Sequence, residues 1–265
     1  MYGRITHPDQ FVVINQKVLS GVTSFDGNFD IPYDNIDILG GNYLAETQSE
    51  IGRDISINRV LINKDPLKFL TGEACCSGFV NYKNLSFGFQ SGYLTDYTIS
   101  CDVGSVAEVS TNFTVYGNIG GNVDYNIPPN DPNDGFIYVP NFGNIVVSAN
   151  EGSTNRIVGF SYTVNSERVP TFVLGNINPR EVFLKRPVTV ELTLNVEIDD
   201  YESSDIQTLL CSPNIQNITI DLKNCNNTQI IESFYMPNAR LISNSYAGNI
   251  GDAATVELLF RSFLV

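Results

Sequence analysis

Apolar and polar residues alternate strictly over short stretches of the chain, and this period of two predicts strands that bury one face. The pattern is clear in Ile55-Ser-Ile57, Leu85-Ser-Phe87-Gly-Phe89, Tyr97-Thr-Ile99, Phe113-Thr-Val115, Val188-Thr-Val190-Glu-Leu192-Thr-Leu194, Ile218-Thr-Ile220 and Val256-Glu-Leu258. Loops rich in Gly, Asn, Asp and Pro separate these runs. Only two stretches read as short helices, one at Asp65 to Leu70 and one at Asp200 to Leu210, each with acidic residues near its start. The expected fold class is therefore all-β, with one short helix in each half. The stretch Phe25 to Gly41 places Phe25, Gly27, Phe29 and Ile31 on one strand face, breaks at Pro32, and resumes as an apolar run closed by Leu39 and Gly40.

That figure occurs twice. Shifting the chain by 135 positions sets Phe25 over Phe160, Phe29 over Val164, Ile38 over Val173 and Leu39-Gly40 over Leu174-Gly175. The same shift puts Ile55 and Ile57 over Val190 and Leu192, and Asp65 over Asp200. Further along the offset drifts, as loop insertions require. Asn84-Leu-Ser-Phe87 then matches Asn217-Ile-Thr-Ile220, Ile99-Ser100 matches Ile242-Ser243, and Ala107 to Phe113 matches Ala254 to Phe260. Conserved order of strands, one helix and a Leu-Gly step favour duplication over coincident periodicity. The expected organisation is two tandem β-barrel or β-sandwich domains at 1–117 and 147–265, joined by a linker at 118–146 that contains Pro128-Pro129 and Asp131-Pro132.

Composition narrows the function. The 265 residues are 42% hydrophobic and carry a net charge of −14, with no basic run for holding a nucleic-acid backbone. No apolar window spans a bilayer, and the start, MYGRITHPDQFVV, shows no secretory leader, so the expectation is a protein made and kept in the cytoplasm. Cys75, Cys76, Cys101, Cys211 and Cys225 form no CxxC pair and read as free thiols of a reducing compartment. Four N-x-S/T matches, at Asn84, Asn112, Asn217 and Asn226, read as chance in an Asn-rich chain.

Three segments resemble the tail tube proteins of tailed bacteriophages, which share a β-barrel or sandwich and a flanking helix with the type VI secretion tube protein. They are Gly21 to Glu73, where NKDPLKFL is similar to the family's short Asp-Gly, Pro-Leu segment; Gly92 to Gly117; and the closing FYMPNARLISNSYAGNIGDAATVELLFRSFL, with its Pro-containing strand, Gly-Asp loop and final apolar strand. The resemblance implies a virion structural protein with no enzymatic activity and no cofactor. Its copies would form rings, the rings would stack into a tail tube, and DNA would pass through without specific binding. Family members with two fused domains form trimeric rings of six barrels, so the repeat points to a trimer. The implied partners are further copies of the chain and other tail proteins, with no membrane, and the implied location is the virion tail, assembled in the host cytoplasm. An acidic lumen would repel phosphates over about 8 Å, the Debye length at physiological salt. The excursions at 41–53 and 176–187 occupy matching positions in the repeats and are expected to meet a neighbouring ring or subunit. Their candidate contact residues are Tyr43, Leu44, Ile51, Val182, Phe183 and Leu184.

Searches for chemistry return little. His7 is the single histidine, which removes His-based triads, and GxSxG, GxxxxGK[ST] and HExxH are missing. Asp199-Asp200 suits a helix start, and Asp131 to Gly135 suits turns, so neither is expected to be a catalytic pair or a metal site. Thirteen Tyr and sixteen Phe leave open a carbohydrate-binding β-sandwich adhesin, and the tube fold leaves open a minor ring at the tail tip or head-tail junction.

Overall fold

A computed structural model of the protein describes residues 10–29, 33–39, 41–46, 53–62, 64–72, 74–82, 85–121, 139–149, 156–198, 216–224, 226, 228–248 and 253–264. The fold is all-β. The first half contains β1 (Gln10–Ile14), β2 (Lys17–Leu19), β3 (Val22–Phe29), β4 (Tyr33–Ile38), β5 (Gly41–Glu46), β6 (Arg53–Val60), β7 (Cys76–Tyr82), β8 (Leu85–Asp102), β9 (Glu108–Val115) and β10 (Ile119–Gly120). The second contains β11 (Ile145–Ala149), β12 (Ile157–Asn165), β13 (Arg168–Thr171), β14 (Glu181–Leu184), β15 (Val188–Glu197), β16 (Gln216–Lys223), β17 (Ile230–Ala247) and β18 (Thr255–Leu264).

Both halves pair their strands in one order. The first runs β1-β7-β8-β9-β6-β3 and the second runs β11-β16-β17-β18-β15-β12, all antiparallel. Irregularities repeat as well. The ladder slips between Val22 and Ser24 in β3 and between Ile157 and Gly159 in β12, and again between Leu94 and Asp96 in β8 and between Leu241 and Ser243 in β17. Ser91 and Asn238, at matching points of the two 18-residue strands, both take positive φ, 54° and 52°. Bulges and left-handed residues each cost free energy, so their coincidence reflects a shared backbone plan.

Alternation explains the core. Along β15 every second residue from Val188 to Val196 is buried, and Ile55 and Ile57 do the same on β6. Each sheet curls until β3 or β12 meets the first part of β8 or β17. Phe25 lies edge-on to Phe87, and a side chain at Gly27 would press on the Phe87 ring at 2.8 Å. In the second half Tyr162, which is the counterpart of Gly27, packs on Phe234, the counterpart of Phe87. A curled sheet of this kind buries its apolar face without a covering helix layer.

Several expectations need correction. Phe87 of β8 corresponds to Phe234 of β17 and not to Ile220, which lies on β16, and Ile99 corresponds to Tyr246 and not to Ile242. The segment Asp65 to Leu70 is not an α-helix; it holds one 3-10 turn at Lys68–Thr71, because Pro66 and Gly72 leave room for a single turn. The second expected helix, at 200–210, lies outside the described residues. Pairing also moves the repeat offset from 135 to 137 between β6 and β15: Ile57 pairs with Phe25, and Leu194 with Phe160. Ile55 and Ile57 therefore correspond to Leu192 and Leu194, because the second excursion is two residues longer. Finally, Leu39 and Leu174-Gly175 do not end a barrel strand, and Gly40 lies outside the described residues. Leu39 and Leu174 fall within the excursions, which begin earlier than expected and form the separate hairpins β4–β5 and β13–β14. Most of the expected linker, 122–138, lies outside the described residues. Its described flanks are held to the first half, Ile119 pairing with Phe89 and Ala107 N donating to Pro140 O at 3.0 Å.

Candidate assembly surfaces

The halves are joined edge to edge. β12 pairs with the second part of β8, Gly159 opposite Asp102 through Asn165 opposite Asp96, so that one 14-stranded sheet crosses the junction. The edge of β8 that β12 takes continues the edge that β7 takes on the first part of the strand, while β9 holds the opposite edge. Two side-chain devices lock this junction. Arg168, at the root of the β13–β14 hairpin, donates to Leu94 O at 2.9 Å, Gly72 O at 2.7 Å and Leu70 O at 3.4 Å. Ser166 Oγ adds a bond to Thr71 O at 3.0 Å.

The second device is a buried cluster of charged groups. Arg59, only 2% exposed, ion-pairs with Asp65. The other oxygen of Asp65 accepts from the Tyr97 hydroxyl at 2.5 Å, and its Oδ1 also caps Leu67 N at 2.7 Å. From the second half, Glu232 accepts from Asp65 N at 3.2 Å and from Lys68 Nζ at 2.7 Å, and that ammonium also sits over the Phe234 ring. Burial, and then the neighbouring Asp65 carboxylate, pushes the Tyr97 phenol well above its ordinary range.

What is covered at this junction is open at its counterpart. Phe113 pairs with Leu94 and Phe260 with Leu241, which equates β8 residues 96–101 with residues 243–248, the end of β17 and the glycine after it. None of Asp96 to Cys101 is exposed, whereas every residue from Ser243 to Gly248 is. Among the described residues, no strand pairs with the edge of β17 that corresponds to the one β12 fills on β8, and β3 pairs with β6 alone. Tyr116 lines a cleft of about 320 Å³ beneath the β13–β14 hairpin, whereas Phe263, its counterpart, is exposed.

The hairpins carry the expected contact residues. Tyr43 and Leu44 lie on β5, opposite Ile36 and Asn35, and Ile51 lies outside the described residues. On β14, Phe183 is exposed, while Val182 and Leu184 are half-buried and Leu184 packs against the core. More prominent are residues that the strand pattern did not single out. Leu39 and Leu174, in the turns of the two hairpins, are 107% and 105% exposed, and Phe172 and Ile177, close to Leu174 in sequence, are exposed as well. The fully exposed leucines mark the Leu-Gly steps, which the repeat had already aligned. Arg168 and Glu232 gave no such signal, because their partners lie more than 70 residues away in the chain.

Among the described residues, no group of three or more His, Cys, Asp or Glu side chains gathers as metal ligands, and no helix is long and apolar enough to cross a membrane. Cys75 is exposed, while Cys76 and Cys101 are buried free thiols. Burial, reinforced by the Cys75 thiol, pushes Cys76 up to about 12, which makes it a poor nucleophile. No protein-family model matches the chain, and no curated protein is similar to it in sequence.

Proposed function

We propose that the chain is a virion structural protein, the major tail tube subunit of a tailed bacteriophage, whose copies close into rings that stack around a DNA conduit. One observation carries the reading: a module is duplicated, the first copy is joined to the second by an edge-to-edge sheet, and the second copy presents the same edge unfilled among the described residues. A heterologous contact that can be repeated closes into a ring when its rotation allows. Three chains, giving six modules, are the ring that the resemblance to two-domain tube proteins implies.

The exposed Leu39 and Leu174 support a second, axial contact, because a large apolar side chain held at the end of a hairpin gains from burial against another ring. The net charge of −14 suits a bore that DNA must pass without sticking. In this role the protein performs no catalytic step, and specificity lies in its contacts with itself and with other tail proteins. A ring at the tail tip or head-tail junction would use the same lateral contact but would not polymerise. Sedimentation of the purified chain tests the reading: a species of three times 29.2 kDa that grows with concentration supports it. A monomer at all concentrations counts against it.

A further inference from the structure

We propose that the exposed edge of β17 pairs antiparallel with β3 of a second copy of the chain in one register, Asp26 opposite Ala247, Gly27 opposite Tyr246 and Asn28 opposite Ser245. The register follows from the junction inside the chain. There, Ser161 faces Ser100, Tyr162 faces Ile99 and Thr163 faces Thr98. β3 corresponds to β12 with an offset of 135, since Phe25 and Phe160 take equivalent places in their ladders. β17 corresponds to β8 with an offset of 147, fixed by Phe113 and Phe260 and by the positive φ of Ser91 and Asn238. Applying both offsets converts the internal pairs into those of the interface.

Three features of the two edges fit. First, Ser243 to Gly248 contains no charged residue and no proline, and the exposed stretch Asp26 to Asn28 has a single charge. Edges meant to stay free are usually guarded by such residues, so an unguarded, exposed edge is one that pairs. Second, bulk is exchanged across the register. The internal junction sets Tyr162 beside Ile99, and the interface sets glycine beside Tyr246, which is 60% exposed in the single chain. Third, Asp26, Gly27 and Asn28 are exposed on β3, whereas none of their counterparts Ser161, Tyr162 and Thr163 on β12 is.

This interface rests on the ring reading above, and cross-linking separates the two. In a Cys75→Ser background, Asp26→Cys combined with Ala247→Cys places thiols on directly opposed residues, whose Cα atoms lie about 4.5–5.5 Å apart in an antiparallel pair, within disulfide reach. Mild oxidation is expected to give covalent oligomers on non-reducing gels that end at one closed size. Asp26→Cys with Ser245→Cys is two residues out of register, about 7–8 Å apart, and should link at least tenfold less. Equal linking of both pairs, or rings seen by microscopy with no linking of the first pair, would overturn the register and leave the ring. Linked closed oligomers that never stack would uphold the register and overturn the tube. Tyr246→Asp supplies an independent check: it should abolish self-association without lowering the unfolding temperature of the monomer, and unchanged association would overturn the proposal.

Discussion

Replacing Asp65 with alanine should destabilise the protein far more than the loss of one carboxylate at a surface would. The substitution strands the Arg59 guanidinium at 2% exposure, removes the acceptor of the Tyr97 hydroxyl, and uncaps Leu67 N. Breaking a buried ion pair from one side costs about 3–5 kcal/mol, because the remaining charge stays desolvated. For a chain of this size each kcal/mol shifts the melting temperature by about 2–4 °C, so the expected drop is about 6–20 °C. The double variant Arg59→Met with Asp65→Leu removes both charges and fills the same space with apolar atoms. It should recover most of the loss, since a buried pair and a well-packed apolar substitute are often close in stability. Urea unfolding followed by tyrosine fluorescence reads the difference. A single variant that loses less than about 1 kcal/mol, or a double variant no better than the single, would refute the claim that the buried Arg59–Asp65 pair stabilises the first half beneath the junction.

Other consequences follow from the same packing. Burial pushes the Tyr162 phenol up to about 12 and also raises the Tyr97 phenol well above its ordinary range, so the folded chain holds protons that the unfolded chain releases above about pH 10. Stability should be intact below pH 10 and fall as pH rises towards 12, by about 3 kcal/mol from Tyr162 alone; denaturant midpoints across that range check it, and a Tyr162→Phe variant should flatten the slope. Iodoacetamide at neutral pH should label Cys75 in the native protein and spare Cys76 and Cys101, as peptide mass spectrometry would show. Phe234→Ala empties the space between Tyr97, Tyr162 and Lys68, and should cost about 3–5 kcal/mol in an unfolding titration.

Period-two alternation made β15, β16 and β18 legible in the sequence, because each buries one face against a single curled core. Duplication was legible too, through Phe25 over Phe160 and through the Leu-Gly steps. Its offset was misjudged at Ile55 and Ile57 because two extra residues in a hairpin leave the local pattern unchanged: a shift of two preserves which face is apolar. The segment around Pro66 reads as a helix start from its acidic residue, yet capping of Leu67 N by Asp65 and the stop at Gly72 allow one turn only. The unpaired edge of β17 is the least legible feature. Ile99-Ser100 align with Ile242-Ser243 by residue type alone, whereas the ladders, bulged at the same place in both strands, equate Ile99 with Tyr246. That β8 is covered and β17 bare depends on which strand lies beside each, and a one-dimensional pattern does not carry it.

Electron microscopy of the purified chain, in negative stain, tests the central claim most directly. The account predicts rings with a central channel that stack into tubes of uniform width as concentration rises, with six lobes per ring for three chains. A field of dispersed single particles at every concentration would contradict it.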